Sequence, residues 1–72
     1  MKLSHAEEGM EYEITDIQTE DAEMKAFLFT LGCYSGERIT VVSRKRNGLV
    51  VSIKDGRYNI DKNLSDVIEV AS

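Results

Sequence analysis

The spacing of apolar and polar positions changes repeatedly along this 72-residue chain, and each change marks an element. Tyr12 and Ile14 alternate with Glu11, Glu13 and Thr15, the period-two pattern of a half-buried strand that starts after Gly9. Ile17 falls out of phase with them. That shift predicts a bulge or a strand end near Asp16, because one extra residue turns the following side chains to the other face. Between Glu20 and Leu31 the period becomes helical: Met24, Phe27, Leu28 and Leu31 stand at i, i+3, i+4 and i+7, the stripe of an amphipathic helix over about residues 21–31. Thr19 or Asp21 can cap its first turn, where Glu20, Asp21 and Glu23 also suit the positive end of the helix dipole. Gly32 supplies the left-handed residue that ends the helix, which places Cys33 against Leu28 in a Schellman closure.

Strand character returns at Ile39, Val41 and Val42 and runs through Arg44-Lys45-Arg46 into Asn47-Gly48, the strongest short-range hairpin signal. Leu49, Val50, Val51 and Ile53 lead back to Asp55-Gly56, a second two-residue turn, before Tyr58 and Ile60 alternate again. Asp61 can cap a short helical turn near residues 61–65, and Val67, Ile68 and Val70 make a last strand. Four or five short strands plus one helix, in a chain too short for two packed sheets, point to a mainly β fold, a small closed or nearly closed barrel. The chain reads as a single domain, residues 1–72, with 1–8 as a mobile lead-in.

Charge divides the chain in a way its sum conceals. The net charge of −4 is made of −7 over residues 1–23, +5 over 24–60 and −2 beyond. A general nucleic-acid binder needs a continuous basic face, so protein partners fit better than nucleic acid. A single cysteine excludes an internal disulfide and fits a reducing compartment, with cytoplasm the expected location. The first residues lack the apolar run of a signal peptide, and no window approaches the roughly 18 apolar residues that span a bilayer. Direct membrane insertion is therefore not expected.

No catalytic constellation emerges. Gly32 and Gly36 lack the spacing of a phosphate-binding loop and lead into a strand, not a helix. Cys33 would need a base, and the sole histidine, His5, lies in the N-terminal lead-in; a thiol packed at a helix end is the simpler reading. His5, Glu7 and Glu8 could offer nitrogen and oxygen to a divalent ion such as iron or manganese. Adjacent ligands on a flexible segment bind weakly, so the expectation is no metal site and no cofactor.

Two features read as candidate partner surfaces. Phe29 points away from the Met24, Phe27, Leu28 and Leu31 stripe and shares its side with Ala22 and Ala26. That face is either covered by the N-terminal segment around Leu3 or forms an interface joined by Tyr34. Arg44, Lys45 and Arg46 make the densest positive cluster: an exposed, soluble hairpin tip, or a dock for an acidic protein surface or anionic lipid heads.

Taken in order, Gly9-x-x-Tyr12-x-Ile14-x-x-Ile17, then Leu28, Leu31-Gly32, Gly36, Ile39 and Val41, then Asn47-Gly48, Ile53, Leu64-Ser65, Ile68 and Val70 resemble the FeoA family of ferrous iron transport accessory proteins. The likeness covers nearly the whole chain, and it is the ordered set at matching spacings that carries it. Phe27 stands where the family often has arginine, and Ser35 where it often has proline. The resemblance implies an SH3-like barrel with an inserted helix. It also implies a non-enzymatic cytoplasmic adaptor, peripheral at the inner face of the membrane, for a FeoB-type transporter with a GTPase domain. The same fold forms the C-terminal domain of DtxR-type repressors, which implies divalent-metal sensing as the alternative. The surfaces expected to meet the partner are Phe29 and Tyr34 with Arg44, Lys45 and Arg46.

Overall fold

The structure, a computed structural model, describes residues 1–71. A short 3-10 turn (Leu3–His5) leads into β1 (Glu11–Ile17), α1 (Ala22–Leu31), β2 (Arg38–Lys45), β3 (Gly48–Ile53), β4 (Gly56–Asp61), α2 (Lys62–Val67) and β5 (Ile68–Val70). The strands form one antiparallel sheet in the order β4, β3, β2, β1, β5, coiled into a small SH3-like barrel. Ile14, Ile39, Val41, Val51, Ile53, Ile68 and Val70 point inward from it and, with Leu28 from α1, make one core. β3 shows the simplest pattern: Leu49, Val51 and Ile53 are buried, and the residues between them are half-buried.

Each junction has a local cause. The Asp21 carboxylate accepts from the Glu23 and Met24 amides and starts α1. At the other end Gly32 adopts φ 95°, its amide bonds to the Phe29 carbonyl at 3.0 Å, and that of Cys33 to the Leu28 carbonyl at 2.9 Å. Those two bonds are the Schellman pair, and Leu28 and Cys33 enter the core together. The β1–β5 register shifts between Ile14 and Asp16, which is the bulge that the phase of Ile17 predicts. A second shift between Val41 and Ser43 interrupts β2 against β3, where Val41 and Val42 break the alternation. Asp61 caps α2 through the Leu64 amide at 2.8 Å.

Four expectations need correction. Residues 1–8 do not form a mobile lead-in: Leu3 is fully buried, Lys2 bridges to Glu69 beside β5, and the segment packs on α2 and β5. Its carbonyls at Ser4 and Ala6 receive the Arg44 guanidinium, which supplies the polar partners an unpaired segment lacks. Phe27 is 49% exposed and lies off the buried stripe, leaving Leu28 as the one fully buried residue of α1. Both hairpins turn one residue earlier than the glycine signals suggest, with Lys45 opposite Gly48 and Ile53 opposite Gly56. The turn residues are thus Arg46-Asn47 and Lys54-Asp55, and Lys54, at φ 53°, carries the left-handed conformation in the second. Gly48 is needed for a different reason: a Cβ there would run into the Ile60 carbonyl oxygen of β4 and lie 2.9 Å from the Asp61 Cα.

Candidate functional site

The Schellman closure sets the first candidate surface. It turns the chain sharply out of α1, so that Tyr34 comes back beside Phe29 with ring centroids 5.2 Å apart and a 40° tilt. Phe29 is 63% exposed, the most exposed large hydrophobic side chain among the described residues, and nothing from the N-terminal segment covers it. The β3–β4 turn brings Lys54 to the same place. Its ammonium donates to the Tyr34 hydroxyl at 2.6 Å and lies 3.4 Å from the Glu37 carboxylate. Glu37 in turn accepts from the Arg38 amide at 3.1 Å.

These contacts fix charge states as well as positions. The Arg38 amide, followed by Lys54, holds the Glu37 carboxyl below its ordinary range, and the Tyr34 hydroxyl, followed by Glu37, holds the Lys54 ammonium above its own. Both stay charged through neutral pH, so the aromatic pair has a fixed polar rim on one side. Two shallow hollows flank the pair. One of about 560 Å³ reaches Leu31, Lys54 and Tyr58, and one of about 370 Å³ reaches Asp16, Lys25 and Ala26. An aromatic centre with polar edges is the composition of a protein interface.

The basic hairpin does not join this surface. Strand β3 separates them: from Gly48 at the hairpin to Ile53 beside Lys54 is about 17 Å at 3.4 Å per residue. Arg44 is further committed, its guanidinium to the Ser4 carbonyl at 3.0 Å and to that of Ala6, and its amide to the Glu8 carboxylate at 2.7 Å. Only Lys45 and Arg46 of the cluster stand free at the tip. Phe29 and Tyr34 are therefore brought together as expected, and the three bases form a separate place. Lys54 and Glu37 are additions to the first surface. Nothing in their local sequence signals them, because their contacts come from a turn distant in the chain.

Among the described residues no group of three or more His, Cys, Asp or Glu side chains is placed to hold a metal ion. His5, Glu7 and Glu8 do not converge, and Glu8 is taken by the Arg44 amide. Burial pushes the Cys33 thiol from its ordinary 9.0 up to about 11, so it is neutral at physiological pH and a poor nucleophile. Native protein is expected to resist iodoacetamide at pH 8, and protein in denaturant to react within minutes; mass spectrometry reads both. The same shift sets a pH trend. Above pH 9 the unfolded chain loses this proton while the folded chain keeps it, so the contribution of this group to stability falls until about pH 11.

No curated protein matches the chain at a significant level. Solved structures do. Iron(II) transport protein A from Clostridium thermocellum is 28% identical with a TM-score of 0.89, over 97% of this chain and 44% of that one. FeoA of Stenotrophomonas maltophilia, complexed with zinc, is 21% identical with a TM-score of 0.80, over 99% and 89%. A manganese-dependent transcriptional repressor is 19% identical with a TM-score of 0.91; this chain is covered completely and spans 41% of the repressor. A family model, that of the FeoA domain, matches residues 1–72. Since that match takes in every residue from the buried N-terminal turn to the last strand, the chain belongs to the FeoA domain family of ferrous iron transport.

Proposed function

We propose that this protein is a non-enzymatic adaptor of ferrous iron uptake that binds the cytoplasmic side of a FeoB-type, GTPase-linked transporter. The observation that carries the reading is the Phe29–Tyr34 pair, a large exposed aromatic surface held rigid by the Schellman turn and by Lys54. Exposed aromatics on a fixed scaffold supply contact area at small entropic cost and are enriched among residues that dominate binding energy. Membership of a family of ferrous iron transport supports iron uptake as the setting, and the transporter as partner is part of the proposal. Among the described residues no helix is long and apolar enough to cross a membrane, and the adaptor reading would put the protein at the inner membrane face through its partner. The metal-sensing alternative is supported only by relatives: a zinc complex in one and manganese dependence in another.

Titration of the transporter's cytoplasmic GTPase domain, with its adjacent membrane segment in detergent, into isotope-labelled protein tests the assignment. Amide shifts should concentrate at Phe29, Tyr34 and Lys54. Phe29→Ala should weaken binding on the order of 10- to 100-fold, as for a hot-spot aromatic, with the melting temperature unchanged. Equal affinity of the variant and the parent would remove this face from the reading, and absence of any binding would remove the adaptor role.

A further inference from the structure

The basic hairpin, left out of the adaptor surface, faces a second element. The Lys62 amide donates to the Asn47 carbonyl at 3.0 Å and pins the start of α2 beside the β2–β3 turn. Between them lies a hollow of about 200 Å³ whose walls include Arg44, Lys45, Arg46 and Lys62. Four of the chain's nine lysines and arginines thus meet at one small cavity of a protein with a net charge of −4, and no aspartate or glutamate lines it. Arg44 and Lys62 have partners, the N-terminal carbonyls and Asp66 at 3.0 Å. Lys45 and Arg46 have no carboxylate within ion-pair distance among the described residues.

We infer that this hollow binds a phosphate group. The inference stands apart from the adaptor reading and uses different residues. A carboxylate brings one negative charge. A phosphate brings up to two, and its several acceptor oxygens match the arginine fork and two point-charge ammoniums around one centre. The volume is too small for a drug-sized ligand but suits a phosphoryl or pyrophosphoryl group. Beside it runs an open groove of about 570 Å³ past Leu49, Asn59, Ile60 and Leu64, where the organic part of a phosphorylated molecule would lie. A flat lipid surface fits less well, because the exposed large hydrophobics are Met1, Met10, Phe27 and Phe29, none of them at the hairpin tip.

Isotope-labelled protein titrated with inorganic phosphate and with pyrophosphate, at ionic strength held constant with chloride, tests the site. Saturable amide shifts confined to Lys45–Leu49 and the start of α2 are expected, tighter for pyrophosphate. The double variant Lys45→Ala, Arg46→Ala should weaken binding about tenfold or more through loss of two charge-assisted contacts. Both residues are exposed, so its melting curve should match the parent's. A parallel arm uses phosphatidylcholine vesicles doped with phosphatidic acid. A response to vesicles that the double variant loses, without one to free pyrophosphate, keeps the phosphate site and assigns its source to lipid. Shifts that do not saturate, that spread over the surface, or that persist undiminished in the double variant overturn it.

Discussion

Leu3→Ala should lower the stability of the protein by about 2–5 kcal/mol, the range for removing a fully buried leucine side chain. Leu3 lies at 0% exposure in the same core as Ile14 and Ile68. Its surroundings cannot easily collapse into the space it would leave. The turn that carries it is closed by the Ala6 amide on the Leu3 carbonyl at 2.9 Å, held by the Arg44 guanidinium, and joined to β5 by the Lys2–Glu69 bridge. A chain of this length has a total stability of only about 4–11 kcal/mol, so the loss is a large part of the whole. Urea denaturation reads it as a lower midpoint at unchanged slope. Met10→Ala, at a side chain 51% exposed, serves as the control and should stay within about 0.5 kcal/mol of the parent. A Leu3 variant that behaves like the Met10 control would restore the mobile lead-in and contradict the packing described above.

Gly48→Ala should cost about 1–3 kcal/mol and lower the melting temperature by roughly 10 °C. The new methyl group meets backbone, not side chain: the Ile60 carbonyl oxygen, with the Asp61 Cα at 2.9 Å and the Ile60 carbonyl carbon at 3.0 Å. Those atoms belong to the strand paired with Gly48 itself, through the Gly48–Asp61 and Leu49–Ile60 registers, so relief requires opening the end of the β3–β4 ladder. Gly56→Ala is the instructive comparison. Its methyl group would meet the ring of Tyr58, which can swing aside, and the penalty should be smaller. Thermal melts of the two variants, read side by side, distinguish a backbone collision from a side-chain one.

Gly48 also shows where sequence patterns reach their limit. An Asn-Gly pair locates the hairpin correctly, since only a turn interrupts two strands at that spacing, but it does not say why the glycine is there. In the fold the turn closes one residue earlier, and the glycine admits a neighbouring strand. Features that depend on near neighbours in the chain were legible: the Asp21 cap, the Schellman closure at Gly32 and the bulge signalled by Ile17. Features that depend on distant segments were not. Leu3 is buried because α2 and β5 leave room for it, and periodicity in the first ten residues carries no sign of that. The candidate surface divides in the same way. Phe29 and Tyr34 are five residues apart and could be paired through the chain reversal that Gly32 signals, whereas Lys54 reaches them from the β3–β4 turn. The other expected partner surface, Arg44, Lys45 and Arg46, lies a full strand away.

The sheet order also governs when this fold can form. β1, near the start of the chain, is flanked by β2 on one side and by β5, the last strand, on the other, with Ile17 opposite Ile68. The meander from β2 to β4 pairs neighbours in sequence and can assemble early, but the seam between first and last strands closes a loop spanning most of the chain. During synthesis, therefore, β1 waits with one edge open while the rest emerges from the ribosome. Its three acidic side chains, Glu11, Glu13 and Asp16, with Glu20 just beyond, then have a use unrelated to any partner: like charges along an unpaired edge oppose its pairing with another unfinished copy.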